Sequence, residues 1–240
     1  MALTVLVTGA SSGIGTGIVE VLTGAGHRVY AAARRADRLE TLKARTGASA
    51  IALDITDGAA VAALARDLTP DVLVLNAGRG GGYKGLAATP PDEVAATVGT
   101  NVTATLTMLG HFLPAMIDRG RGHVVTMGSV AGLYPSISAL YGATKAAVRQ
   151  TCENLRLELR GTGLRVSDIR PGRVTSEFYD RAVTDPEQAA RIQDTQIREL
   201  TPLDIGEAVR FAIEAPPNVN VSAIEVQPVE QTYGGFYLDP

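Results

Sequence analysis

Residues 4–15 read Thr4-Val5-Leu6-Val7-Thr8-Gly9-Ala10-Ser11-Ser12-Gly13-Ile14-Gly15. A β-branched apolar run comes first, a glycine-rich turn second, and from Gly13 an apolar-periodic segment that predicts a helix over Gly13–Thr23. Strand, turn and helix in that order aim backbone amides and a positive helix end at one spot, where a pyrophosphate fits. Glycines of this kind also serve close helix–sheet packing, so the context carries the dinucleotide reading.

Working outward, similar short runs recur at Arg28–Ala32, Ala50–Ile55, Asp71–Leu75, His123–Met127, Arg165–Ile169 and Ala223–Val226. Most are apolar on consecutive positions, as in a parallel strand covered on both faces. Helical segments alternate with them: Ala36–Ala44, Gly58–Asp67, Pro91–Asp118, Ala139–Arg160 and Pro202–Glu214. Thr89-Pro90-Pro91-Asp92 is a helix start, and Pro114 predicts a kink near the end of that helix. The expected fold is α/β: a single-domain Rossmann fold, with a doubly wound seven-stranded parallel sheet and helices on both faces. No linker or repeat divides residues 1–240. The polar segment Ser176–Leu200 is either a helical lid or a solvated excursion.

The composition narrows the function classes. A net charge of −3, from 22 Lys+Arg against 25 Asp+Glu, lacks the broad basic footprint of non-specific nucleic-acid binding. One cysteine, Cys152, allows no internal disulfide, and no Cys/His set has zinc spacing, so no metal is expected and a reducing cytoplasm fits. Met1–Val19 is uncharged, but no Lys or Arg precedes it and six Gly and Ser residues interrupt it, which argues against a signal peptide or membrane anchor. It reads as buried interior, as do the nearly charge-free stretches Val94–Gly110 and Gly122–Thr144. His27, His111 and His123 are scattered and read as structural, and Cys152 as a small buried apolar residue.

The second strand runs into Ala33-Arg34-Arg35, where an NAD-preferring protein would carry an acid for the ribose hydroxyl. Two guanidiniums there suit a 2′-phosphate, hence NADP(H). The bland reading makes Arg34, Arg35, Arg38, Lys43 and Arg45 a solvated helix face or a small nucleic-acid patch. Tyr141 and Lys145, four apart on a predicted helix, share one face, and a nearby ammonium favours a phenolate. Taken singly, Tyr141 could be a core aromatic, Lys145 a snorkelling surface residue, Ser129 a turn residue and Asn101 a buried amide.

Together these motifs resemble the short-chain dehydrogenase/reductase family almost end to end. The matches are the glycine pattern from Thr8 to Gly15, Leu53-Asp54-Ile55, Asn76-Ala77-Gly78, Asn101, Ser129, Tyr141-Gly142-Ala143-Thr144-Lys145 and Pro171-Gly172. The resemblance implies hydride transfer between NADP(H) and a small alcohol or carbonyl. Gly9, Ser11, Ser12, Gly13, Ile14 and Gly15 would then hold the pyrophosphate, and Arg34 and Arg35 the 2′-phosphate. Asp54 and Ile55 would contact the adenine, Asn76, Ala77 and Gly78 would line the cofactor, and Pro171, Gly172, Arg173 and Val174 would hold the nicotinamide end. Tyr141 would be the proton donor or acceptor, with Lys145 lowering its pKa and bonding the ribose, Ser129 donating to the substrate oxygen, and Asn101 holding a relay water.

Within the family, Tyr141–Phe178 and residues 218–235 resemble the NADP-dependent 3-hydroxy acid (serine-type) branch, although the Ser129–Tyr141 loop and the Gly172–Glu177 segment are each one residue shorter than its pattern. A short 3-hydroxy acid is the expected substrate, with Arg173 or Arg79 for its carboxylate. An uncharged ketone, aldehyde or polyol is the alternative, and a non-catalytic dinucleotide sensor on the same scaffold is the alternative of another class. A homotetramer is expected from the resemblance of the two long helices to the family's dimer-forming pair. Tyr233, Phe236 and Tyr237, 3 of 11 aromatics, would dock the tail onto a neighbour, onto the cavity rim or back on their own subunit.

Overall fold

The computed structural model describes residues 2–183, 185–194 and 197–231, without the Arg181 side chain. Tyr233, Phe236 and Tyr237 lie outside the described residues. Seven parallel strands form one sheet: β1 (Thr4–Thr8), β2 (Arg28–Ala33), β3 (Ser49–Ala52), β4 (Val72–Leu75), β5 (Gly122–Met127), β6 (Leu164–Pro171) and β7 (Ala223–Val226). Their order is β3-β2-β1-β4-β5-β6-β7, so the winding reverses between β1 and β4, the place where such sheets open a ligand crevice.

Side chains alternate across β1 and feed two cores. Val5 and Val7 join Ile18, Leu22, Ile205 and Val209 from α1 (Gly13–Gly24) and α9 (Pro202–Glu214) on one face. Leu6 on the other face joins Val61 of α3 (Gly58–Asp67), Met108 and Phe112 of α5 (Ala104–Asp118) and Leu155 of α6 (Ala139–Glu158). No helix among the described residues is long and apolar enough to cross a membrane.

Four features differ from the sequence expectation. β3 stops at Ala52, because the Asp54 carboxylate accepts from the Thr56 amide (2.9 Å) and hydroxyl (2.7 Å) and turns the chain away. The helix predicted over residues 91–118 is divided into α4 (Pro91–Val98) and α5 by a π-helical turn at Gly99–Thr103, whereas α5 runs on through Pro114. The stretch Val94–Gly110 is not wholly interior, since Val98 and Leu106 are exposed on the outer side of that helix. Ile137, inside the stretch from Gly122 to Thr144, is exposed as well.

The segment after β6 folds into α7 (Phe178–Ala182) and α8 (Pro186–Gln193). Phe178, Tyr179, Val183, Ala189 and Ile192 pack with Tyr83, and the Gln188 amide donates to the Tyr83 carbonyl at 2.7 Å. The remaining helix is α2 (Ala36–Thr46), which follows Arg35 directly.

Candidate active site

At the sheet's reversal point, Thr8 ties β1 to β4. Its hydroxyl donates to the Val74 carbonyl (3.2 Å) and accepts from the Asn76 and Ala77 amides (both 3.1 Å), while the Asn76 side chain returns a bond to the Thr8 carbonyl (2.9 Å). The turn from β1 into α1 is a backbone cradle in which two positions admit only glycine. Gly9 sits at φ +65°, and a Cβ on Gly15 would fall 2.2 Å from the Gly9 carbonyl oxygen. Since α1 has no acidic residue in its first turn, its positive end stays available to an anion.

The cradle opens into a cavity of about 530 Å³. Every residue expected to bind cofactor lines it: Gly9, Ser11–Gly15, Arg34, Arg35, Asp54, Ile55, Asn76–Gly78, Tyr141, Lys145, Pro171, Gly172 and Val174. Ser129, Arg79 and Arg173 line it too; Asn101 does not. Arg35 is fixed on the glycine loop, its Nε and Nη2 donating to the Ser11 hydroxyl (3.2 and 2.9 Å) and Nη2 also to the Ser11 carbonyl (3.2 Å). Arg34 extends outward, 77% exposed, with Asp54 4.0 Å away.

On the far wall, α6 presents Tyr141 and Lys145 one turn apart. Ser138 caps that helix, accepting from the Tyr141 amide at 3.0 Å and donating to the Gly81 carbonyl. Lys145 is buried, donates to the Met127 carbonyl at 2.7 Å, and lies 5.7 Å from the centroid of the Tyr141 ring. Burial draws its ammonium down to about 8, opposed by the Asp168 carboxylate. That carboxylate is itself buried, held by the Thr126 hydroxyl (2.9 Å) and Arg170 (2.7 Å).

The Tyr141 phenol departs from expectation. Burial, then neighbouring Tyr179, push it above the ordinary phenol value, and the hydrogen bond with Ser129 opposes them. A wall dry enough to strengthen the ammonium's pull penalises the phenolate more. The Ser129 hydroxyl also accepts from the Ala131 amide (3.1 Å), which fixes it at the end of β5.

Asn101 sits at the π-helical turn, buried behind the cavity wall. Its side chain accepts from the Arg79 amide (2.8 Å) and donates to the Arg79 carbonyl (2.9 Å) and the Thr144 hydroxyl (3.0 Å), so it clamps the loop after β4 to α6. The Arg79 side chain remains exposed on the cavity rim. Arg173 is buried, bonded to the Glu199 carboxylate from Nε and Nη2 (2.8 Å each) and stacked 4.5 Å from the Tyr179 ring centroid. Its charge is thus neutralised within the chain.

Residues assigned no site role from the sequence complete the walls. Phe178 packs beside Tyr141, Tyr179 packs against Tyr83, and the Glu177 carboxylate meets Arg38. Periodicity in 176–200 is weak and the contacts to Tyr83 and Arg38 each span more than ninety residues, so no local signal marks them.

The family model described as short chain dehydrogenase matches residues 3–187. The chain is 38% identical over 242 residues to the NADP-dependent 3-hydroxy acid dehydrogenase YdfG of Salmonella typhi, covering 97% of each. It is 35% identical over 248 residues to the serine 3-dehydrogenase of Rhizobium radiobacter, covering 99% of this chain and 98% of that one. Among solved structures, the closed form of a serine dehydrogenase complexed with NADP+ superposes with a TM-score of 0.91 at 36% identity, covering 97% of both chains.

Proposed function

Because the chain belongs to the short chain dehydrogenase family, we propose that it is an NADP-dependent oxidoreductase interconverting a small 3-hydroxy acid and its 3-oxo acid. The observation that carries this reading is one cavity bordered at one end by the glycine cradle with Arg34 and Arg35 and at the other by Ser129, Tyr141 and Lys145. The cradle fits a pyrophosphate, because the glycine turn leads to the start of α1, which carries no acidic residue in its first turn and lines the cavity. NADP supplies the hydride acceptor or, when reduced, the hydride donor.

The chain's own part is orientation and proton movement. In reduction Tyr141 gives its proton to the carbonyl oxygen, and in oxidation it takes the proton back. The upward shift keeps the proton on Tyr141 at neutral pH, and the Lys145 ammonium stabilises the negative phenol oxygen left when it is given up. Ser129 holds the same oxygen, while Asn101 positions rather than reacts. Residues 176–183 serve as a lid root, with Phe178 and Tyr179 against the catalytic wall.

For the carboxylate, Arg79 is the candidate, since Arg173 already answers Glu199. That same pair, with the aromatic wall of Tyr83, Phe178 and Tyr179, supports a second reading in which the substrate is an uncharged ketone or aldehyde. A turnover panel of 3-hydroxy acids, polyols and aldehydes with NADP+ or NADPH tests both. Turnover of hydroxy acids, with KM raised by Arg79→Gln, supports the first. Turnover restricted to uncharged compounds moves the protein to the second, and cofactor binding without any turnover makes it a sensor.

Exposed Leu106 and Leu157 on α5 and α6 support a homotetramer that covers these helices, and the single buried Cys152 fits a reducing cytoplasm. A monomer by light scattering at micromolar concentration refutes the tetramer.

A further inference from the structure

Three guanidiniums fall within five residues at the cavity mouth, on Arg34, Arg35 and Arg38. The pKa of Arg35 is held below its ordinary value by partial burial and by the charge of Arg38, with Asp37 opposing and Arg34 adding. Such a cluster favours any anion brought to it. The chain brings one from far downstream: both Glu177 carboxylate oxygens accept from Arg38 Nη1, at 2.8 and 2.9 Å, and Arg35 Nη1 lies 3.8 Å from Oε2. Arg35 meanwhile keeps its Nε and Nη2 on Ser11 of the glycine loop.

Glu177 is placed to transmit what happens there. It immediately precedes α7, whose first residue, Phe178, has its ring centroid 5.4 Å from that of Tyr141. Ser176, on its other side, lies against the glycine loop, its Cβ 3.1 Å from where a Cβ on Gly13 would stand. Arginine cluster, glycine loop and proton donor are therefore linked through three consecutive residues.

We propose that Glu177 is a specificity-determining residue: its carboxylate is a resident anion on Arg35 and Arg38 that the cofactor's 2′-phosphate must displace, and the displacement moves Phe178 relative to Tyr141. The inference rests on the NADP reading. Both partners of the Arg38–Glu177 pair are over two-fifths exposed, at 43% and 45%, and such pairs are weak enough to yield. A phosphate of nearly two charges with three acceptor oxygens outcompetes a single carboxylate for guanidiniums and repels one that stays. NAD carries no group that could do this, so it leaves Glu177 in place. Glu177 thereby lowers the affinity for the phosphate while making the lid root respond to it.

The test uses the full chain and two probes, 2′,5′-ADP and 5′-AMP, titrated by calorimetry into the wild type and Glu177→Gln. The variant should bind 2′,5′-ADP tighter by about two- to tenfold, with 5′-AMP unchanged and the gain shrinking at high salt. Unchanged or weaker binding of 2′,5′-ADP, or an equal change for both probes, overturns the proposal. The wild type alone judges the cofactor reading: no preference for 2′,5′-ADP over 5′-AMP overturns that reading, whatever the variant does. The chain has no tryptophan, so Phe178→Trp supplies a single fluorophore at the lid root. Its emission should shift with 2′,5′-ADP and not with 5′-AMP, and the shift should vanish when Glu177→Gln is added. A shift that survives Glu177→Gln, or no shift at all, rejects the coupling.

Discussion

The rings of Tyr141 and Phe178 meet with centroids 5.4 Å apart and planes inclined at 59°, so the phenol on α6 is packed by the first residue of α7. An aromatic neighbour on one side and Ser129 on the other hold the phenol in one orientation without donating a proton in its place. Removing the hydroxyl while keeping the ring therefore isolates the chemistry from the packing. Tyr141→Phe should lower turnover by at least about a hundredfold, the scale of a lost general acid, with the melting temperature and NADPH affinity little changed. Single-turnover kinetics together with an NADPH titration check this.

Arg34 and Arg35 are unequal in the structure. Arg35 is one-third exposed and fixed on Ser11, whereas Arg34 is 77% exposed. A fixed guanidinium loses less freedom on meeting a phosphate, and each charged hydrogen bond contributes about 1.5–3 kcal/mol. Arg35→Gln should raise KM for NADP by about tenfold or more and Arg34→Gln by less, with KM for NAD within about twofold in both. Steady-state kinetics with each cofactor decide the order.

Gly15 faces a carbonyl oxygen that leaves no room for a methyl group. A Cβ there would stand 2.2 Å from the Gly9 oxygen and 2.7 Å from the Asn76 side-chain nitrogen, and backbone has to move to admit it. Gly15→Ala should lose about 1–3 kcal/mol of stability, as overpacked sites do, and cofactor affinity with it. Chemical denaturation and calorimetry measure the two losses.

His123 gives the acid response of the fold. Its ring is 1% exposed, and its Nε2 meets the Ser167 hydroxyl at 2.8 Å. That hydroxyl donates to the Val221 carbonyl, so the hydrogen of the pair sits on Nε2, and Nδ1 has no partner among the described residues. Burial, then the charge of Arg165, lower the imidazole to about 3 from 6.5. Between those values the unfolded chain binds a proton that the folded chain refuses. Stability is therefore intact above pH 6.5 and falls toward pH 3, by about 1.4 kcal/mol per pH unit from this ring. His123→Leu should flatten that part of the slope in denaturation curves recorded from pH 7 to pH 4.

Fold and cofactor half were legible in the sequence because their signals are local. The run from Thr4 to Gly15 carries strand, turn and helix within a dozen residues, and consecutive apolar positions in the later strands state that both faces of the sheet are covered. Tyr141 and Lys145 are likewise tied by one helical turn. What only the tertiary structure decided depends on residues that meet across the chain. Arg173 reads in sequence as a free cation beside the nicotinamide end, yet Glu199 neutralises it from 26 positions away. Arg38 reads as an ordinary surface residue, yet Glu177 reaches it from 139 positions away. The Tyr141 phenol shifts upward because burial, which spacing cannot state, outweighs the hydrogen bond with Ser129. Spacing fixes which side chains share a face; the charge and solvation that those side chains experience are set by partners that only the folded sheet brings within hydrogen-bonding distance.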